Sequence, residues 1–208
     1  QINRLANDLI DLGIQKGDKV ATILPNCLEL MEVYWAVGKI GAVVVPSSTL
    51  LLEPAMKTLL NDSDTVLLIT NSEFVDKIDS IKPELPAIPA DRYILTDYSG
   101  QEGYRDYGEL KAAASDQEPE DIAINDDDPF NIMYSSGTTG LPKGIVHTHY
   151  VRSWYGATFA ATYRMTPESI TMHAGAIVFN GAFVDLMPTK SAVEDDGAGR
   201  SEERFSRN

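Results

Sequence analysis

Residues 134–144 read YSSGTTGLPKG and gather the groups needed to hold a polyphosphate. Ser135, Ser136, Thr138 and Thr139 supply hydroxyls, and Lys143 supplies a positive charge. Gly137, Gly140 and Gly144 let main-chain N–H groups approach an anion with no Cβ in the way. An apolar run at residues 130–135 leads in and reads as a buried strand, while residues 150–163 beyond it carry a helical pattern. The loop is thus expected between a strand and a following helix.

The spacing allows a comparison with GxxxxGK[ST], since Gly137 and Lys143 stand where its first Gly and its Lys would stand. Two positions depart from it. Pro142 replaces the second Gly, fixing φ and deleting an N–H, and Gly144 replaces the hydroxyl residue that ligates magnesium. A Walker loop is therefore disfavoured.

The run from Ile132 to Lys143 resembles the phosphate-loop signature of the AMP-forming adenylating enzymes, and His149 falls where that family carries a His after its Lys-Gly pair. This family includes acyl-CoA synthetases, aryl-CoA ligases, luciferases and peptide-synthetase adenylation domains. An upstream block is similar too: Leu24-Pro25-Asn26, a helical pattern at residues 28–39, then Gly41-Ala42-Val43-Val44-Val45-Pro46. The resemblance implies an acid-thiol ligase that activates a carboxylate as acyl-adenylate with ATP, accompanied by Mg2+, and passes the acyl group to coenzyme A. A small-molecule carboxylic acid is the other partner. Carboxylate oxygen leaves poorly, and conversion to a mixed anhydride with AMP removes that obstacle. The transition state builds charge on departing pyrophosphate, which preorganised donors and a cation would stabilise.

By this resemblance Lys143 and Thr138 are the catalytic candidates. Ser135, Ser136, Gly137, Thr138, Thr139, Gly140 and Lys143 form the ATP-binding set, on a loop that in the family closes over nucleotide. His149 would orient the loop and the helix that follows. Farther on, Phe179 and Asn180 occupy positions where the family often has an aromatic residue and a His lining the acid pocket. Asn cannot carry charge, and Phe179 and Phe183 also read simply as core.

Alternating patterns place strands at residues 19–24, 42–45, 65–70, 92–95 and 130–135, with helices at 2–12, 28–39, 54–61, 72–81 and 107–114. Alternation of this kind means a layered, mostly parallel α/β sheet with crossover helices; the resemblance implies that this is the partial N-terminal domain of the adenylate-forming fold. Pro83, Pro86 and Pro89 mark a connecting loop. Leu28, Met31, Val33, Tyr34, Trp35, Val37 and Ile40 give the second helix a wide apolar face, and Gly41 ends it. In such sheets ligands lie at the carboxyl ends of strands, where Ser135 delivers the motif.

With 208 residues, 43% of them hydrophobic, the chain can bury a substantial core. Residues 1–188 read as a partial AMP-binding domain, and 189–208, poor in large apolar residues, as a disordered tail. The resemblance begins inside the family pattern, so the expected identity is a segment of a longer enzyme, inactive alone. A non-catalytic nucleotide-binding remnant and an unstable degenerate product remain open beside it.

A formal charge of −14 disfavours nucleic acid and anionic membrane surfaces as partners. Seven of the carboxylates fall in residues 116–128, which read as a solvated linker. A lone Cys27 excludes an internal disulfide; it reads as a packing residue, with thiolate character from the helix N-terminus as the alternative. No run is long and apolar enough to span a bilayer. No metal site is read, since a site at His147 and His149 would need further ligands that the sequence does not supply. A cytoplasmic setting is the expectation.

Overall fold

The structure is a computed structural model in which residues 1–120, 122–135, 142–166, 168–170 and 172–181 are described. The chain divides after Thr148 into two units, each treated by itself.

In the first unit, α1 (Ile2–Asp11), β1 (Lys19–Ile23), α2 (Leu28–Lys39), β2 (Val43–Ser47), α3 (Glu53–Asp62) and β3 (Thr65–Thr70) alternate. A short 3-10 turn, Ser72–Phe74, leads into α4 (Val75–Ile81), followed by a second turn, Lys82–Glu84, within the proline-marked connection. Then come β4 (Tyr93–Leu95), β5 (Arg105–Asp106), α5 (Tyr107–Ala113), β6 (Pro129–Ser135) and β7 (Lys143–Thr148). The seven strands form one sheet in the order β5-β4-β3-β1-β2-β6-β7. Every neighbouring pair is parallel except β6 and β7.

The central strands are buried at almost every position, as expected when helices cover both faces of a parallel sheet. On one face Ala21, Ile23, Val45 and Leu68 pack against Met56, Leu59 and Leu60 of α3 and Ile78 and Ile81 of α4. Between β2 and β6 there is a single bridge pair, Val44 with Asn131; Pro46, two residues on, brings no N–H to extend a ladder.

Helix α2 has the predicted bounds. At its end Gly41, at φ +69°, donates to the Gly38 carbonyl (3.1 Å), and Ala42 donates to Val37 (3.1 Å). These two bonds satisfy carbonyls that the helix leaves open, and they need a left-handed residue, which Gly supplies without strain. The apolar face differs from expectation at its start. Leu28 is 79% exposed, whereas Leu30, Val33, Tyr34, Ala36, Val37 and Ile40 are buried. Placed at the first helical turn beyond the end of β1, Leu28 has no neighbouring turn to pack beneath.

The acidic stretch is not a freely solvated linker. Arg4 donates to the Ala114 carbonyl (2.7 Å) and pairs with Asp116 (3.1 Å), while Asn7 donates to the carbonyls of Ser115 and Gln117 (both 2.9 Å). Lys39 pairs with Glu118 (2.5 Å), and Lys16 holds both the Ala123 carbonyl (2.7 Å) and Asp128 (2.6 Å). Cations and amides of α1, α2 and the turn after α1 therefore strap the segment down. Its last anchor, Asp128, immediately precedes β6. The Asn125 backbone N–H and then Lys16 hold the Asp128 carboxyl below the usual range.

The second unit begins with α6 (His149–Tyr163). Tyr150 meets Trp154, Tyr155 meets Phe159 and Phe159 meets Tyr163, with ring centroids 5.8–6.1 Å apart, as side chains four apart on one helix face should. The helix closes with Arg164 at φ +53°, where N–H groups of Arg164 and Met165 reach the carbonyls of Ala161 and Ala160. Residues 182–208 lie outside the described residues, and with them Phe183 and the expected tail. Among the described residues no helix is long and apolar enough to cross a membrane.

Candidate functional site: the mouth of the β6–β7 hairpin

Strand β6 is an apolar run, Phe130-Asn131-Ile132-Met133-Tyr134, that emerges from the core and ends at the exposed Ser135. The chain then returns as an antiparallel strand. Register partners are Asn131 with His147, Ile132 with Val146, Met133 with Ile145, Tyr134 with Gly144 and Ser135 with Lys143. The motif therefore connects two strands of a hairpin: the helix read at residues 150–163 is present as α6, His149–Tyr163, but strand β7 precedes it. This differs from the strand-loop-helix arrangement read from the sequence. The run Ile145-Val146 followed by Thr148 is β-branched, but the span from Ser135 to Lys143 is longer than the connections of about two to five residues that signal a hairpin. The run is short, and as an edge strand it leaves Ile145 and Val146 about half exposed.

Of the predicted phosphate-binding set, Ser135 and Lys143 are placed, opposite one another at the hairpin mouth and both exposed. Ser136, Gly137, Thr138, Thr139 and Gly140 lie outside the described residues. A hydroxyl and an ammonium on facing strand ends suit the oxygen atoms of a phosphate chain, one as donor and the other as charge.

Two residues next to this pair shape it. Tyr134 turns its ring across its register partner Gly144: a Cβ on Gly144 would stand 3.1 Å from Tyr134 Cζ and 3.0 Å from Ile132 Cγ2. Its hydroxyl donates to Asp62 Oδ2 at the end of α3 (2.6 Å). Burial, and then the hydrogen bond to the Asp62 carboxylate, push the Tyr134 phenol well above its ordinary range, so it stays a donor. Nothing in a window around residue 62 announces a partner 72 positions away.

His147 is buried on β7 across from Asn131, also buried. His149 opens α6, and its carbonyl accepts from Ser153 Oγ (2.9 Å). Cys27 precedes α2 and is half-buried; burial pushes its thiol up, outweighing the backbone N–H of Leu30, which favours the packing reading over a reactive thiolate. Among the described residues no group of three His, Cys, Asp or Glu side chains could hold a metal ion.

In the second unit, Asn180 Oδ1 accepts from Nη1 of Arg152 (2.7 Å), a buried guanidinium that also lies over the Tyr155 ring. Nothing in the residues flanking Arg152 marks it as the partner of a side chain 28 positions on. Phe179 is 51% exposed, so its reading as core is corrected; with Asn180 anchored to α6, the adjoining Phe179 ring is turned outward.

A mostly parallel sheet with crossover helices and one antiparallel edge pair defines an α/β domain. The AMP-binding enzyme family matches residues 1–191, and the chain belongs to that family. It is 40% identical over 147 residues to the long-chain-fatty-acid–CoA ligase FadD13 of Mycobacterium tuberculosis, covering 71% of this chain and 28% of that protein. With a crotonobetaine/carnitine–CoA ligase of Escherichia coli O127:H6 it shares 37% over 156 residues, covering 72% of this chain and 29% of the relative. The fold is similar to the N-terminal domain of FACL13 from Mycobacterium tuberculosis, with TM-score 0.78 and 29% identity over 92% of this chain and 46% of that one. It is also similar to the anthranilate CoA ligase AuaEII in complex with anthranoyl-AMP, with TM-score 0.87 and 26% identity over 92% of this chain and 37% of that one. The chain spans less than a third of the length of these curated relatives.

Proposed function

We propose that this chain is the ATP-phosphate-holding part of an acid-thiol ligase that makes an acyl-adenylate and transfers the acyl group to coenzyme A. The observation that carries the reading is the facing of Ser135 and Lys143 across the hairpin mouth, within a chain of the AMP-binding enzyme family. In this reading Lys143 neutralises charge on the β- and γ-phosphates as pyrophosphate leaves, and Ser135 donates to a phosphate oxygen. Ser136, Gly137, Thr138, Thr139 and Gly140 complete the cradle, with Thr138 joining Lys143 in stabilising the leaving group. Magnesium enters bound to ATP, as part of the substrate.

Phe179 and Asn180 are assigned to the acid site in this reading, where Asn180 contributes through its tie to Arg152 and carries no charge of its own. The similarity to fatty-acyl and anthranilate ligases favours a fatty or aryl acid over an amino acid. A cytoplasmic setting, where ATP and coenzyme A are both available, is part of this reading.

Calorimetric titration of Mg-ATP into the 208-residue chain tests the phosphate assignment. Saturable binding that weakens about tenfold or more in Lys143→Ala is expected, since a charge-assisted contact contributes about 1.5–3 kcal/mol. Equal affinity in the two proteins would sink it. A second reading is nucleotide binding by this chain without catalysis. ATP binding with neither pyrophosphate exchange nor acyl-CoA formation by the isolated chain would select it.

A further inference from the structure

Tyr134 stands one residue before Ser135, and its register partner Gly144 stands one residue after Lys143. Its ring and Ile132 pack against the cluster formed by α3 and the sheet, while its hydroxyl reaches past the cluster to Asp62 Oδ2 at 2.6 Å. The space above Gly144 is what allows this path: any side chain there would meet Ile132 Cγ2 at 3.0 Å and the Tyr134 ring at 3.1 Å. The β6–β7 pair otherwise lies at the border of the sheet, held to β2 by a single bridge pair. Phe130 and Met133 seat the root of β6 in the core, but the bridge to β2 lies at Asn131, before the mouth at Ser135, so the mouth needs a tie of its own if it is to keep one position.

We infer that Tyr134 and Asp62 form a strut that positions Ser135 and Lys143 for phosphate, with Gly144 as the gap through which the strut passes. Neither residue touches the phosphate; both are positioning residues. The inference rests on the phosphate reading above and deepens it. The strut acts by removing freedom from the hairpin mouth before the ligand arrives, so that less ordering is left to oppose binding. It also ties the mouth to α3, whose carboxyl-terminal residue Asp62 immediately precedes the turn into β3.

The test uses the complete chain and two readouts. Hydrogen exchange without nucleotide is measured for wild type, Tyr134→Phe, Asp62→Ala and the double variant. Tyr134→Phe keeps the ring over Gly144 and removes only the hydroxyl, and Asp62 is exposed, so both variants leave the core intact. Exchange about tenfold faster in β6 and β7, with β1 to β3 unchanged and the double variant no worse than either single one, is expected. Asp62→Asn, which retains an acceptor oxygen, should restore most of the protection. Unchanged exchange in the hairpin, additive effects, or equal acceleration throughout the sheet would overturn the strut.

Mg-ATP titration then asks whether the strut serves the phosphate. About three- to tenfold weaker binding in Tyr134→Phe and Asp62→Ala supports it, and undiminished affinity in a protein that Lys143→Ala does weaken overturns it. If wild type and Lys143→Ala alike take up no Mg-ATP, the phosphate reading itself has failed, and hydrogen exchange alone then decides whether the strut exists.

Discussion

Ser135 and Lys143 are register partners at the open end of an antiparallel pair, so one backbone ladder holds the hydroxyl and the cation at a defined spacing. The two contributions to phosphate binding should differ in size. A neutral hydroxyl bond contributes about 0.5–1.5 kcal/mol and a charge-assisted one about twice that. Ser135→Ala is therefore expected to weaken Mg-ATP about threefold in calorimetry, less than Lys143→Ala, and Lys143→Arg should retain most of the affinity.

Gly144 gives a prediction about stability. A β-branched side chain there is compatible with a strand but would force apart Ile132, Tyr134 and β7. Gly144→Val should cost about 1–3 kcal/mol, the range for overpacking a filled site. Urea denaturation with the slope held common to both proteins measures it, and a variant as stable as wild type would contradict the packing described.

Asp8 on α1 is 7% exposed, and its Oδ2 has no hydrogen-bond partner among the described residues. Burial pushes its carboxyl up to about 6, against the attraction of Arg105 and with Asp11 adding to the rise. A folded-state value above the unfolded value of about 3.9 means the native state binds the proton more tightly. Stability from this group is then present at low pH and is lost as pH rises through about 6. Asp8→Asn should stabilise the chain near neutral pH by up to about 3 kcal/mol, with the gain vanishing towards about pH 4. Melting temperatures of both proteins across that range check the sign.

Glu32 joins α2 to α5, its Oε2 accepting from Tyr107 Oη (2.7 Å) and Lys111 Nζ (2.5 Å). Tyr107 is buried, and Lys111 also lies over its ring. Removing the shared acceptor strands a phenol and an ammonium together. Glu32→Ala should destabilise by about 2–3 kcal/mol, more than loss of an exposed ion pair would, and a thermal melt beside Lys57→Ala, which breaks an exposed pair with Glu84, makes the comparison.

What was legible in the sequence is local. Burial on both faces makes a parallel strand read as a continuous apolar run, so β1, β2, β3 and β6 announce themselves. Helix α2 is bounded by its own periodicity and by Gly41. The residue types around Lys143 declare their chemistry without reference to anything distant. β5 has two residues and β7 only two large apolar ones, too few for a period to emerge, and their pairing comes from neighbours already in place.

The relationships that position the site are of another kind. Tyr134 with Asp62, Arg152 with Asn180, and the cations that strap residues 114–128 join positions 28 to 112 residues apart. Side-chain type shows that such groups need a partner, since buried or charged polar atoms are costly when left alone. It does not say which partner, because that depends on which helix ends and strand ends the folded chain brings together. The sequence by itself determined a parallel α/β domain carrying a segment rich in Gly and hydroxyls that ends at Lys143. Only the tertiary structure decided that the loop springs from an antiparallel hairpin, with Ser135 facing Lys143 and Tyr134 braced against α3.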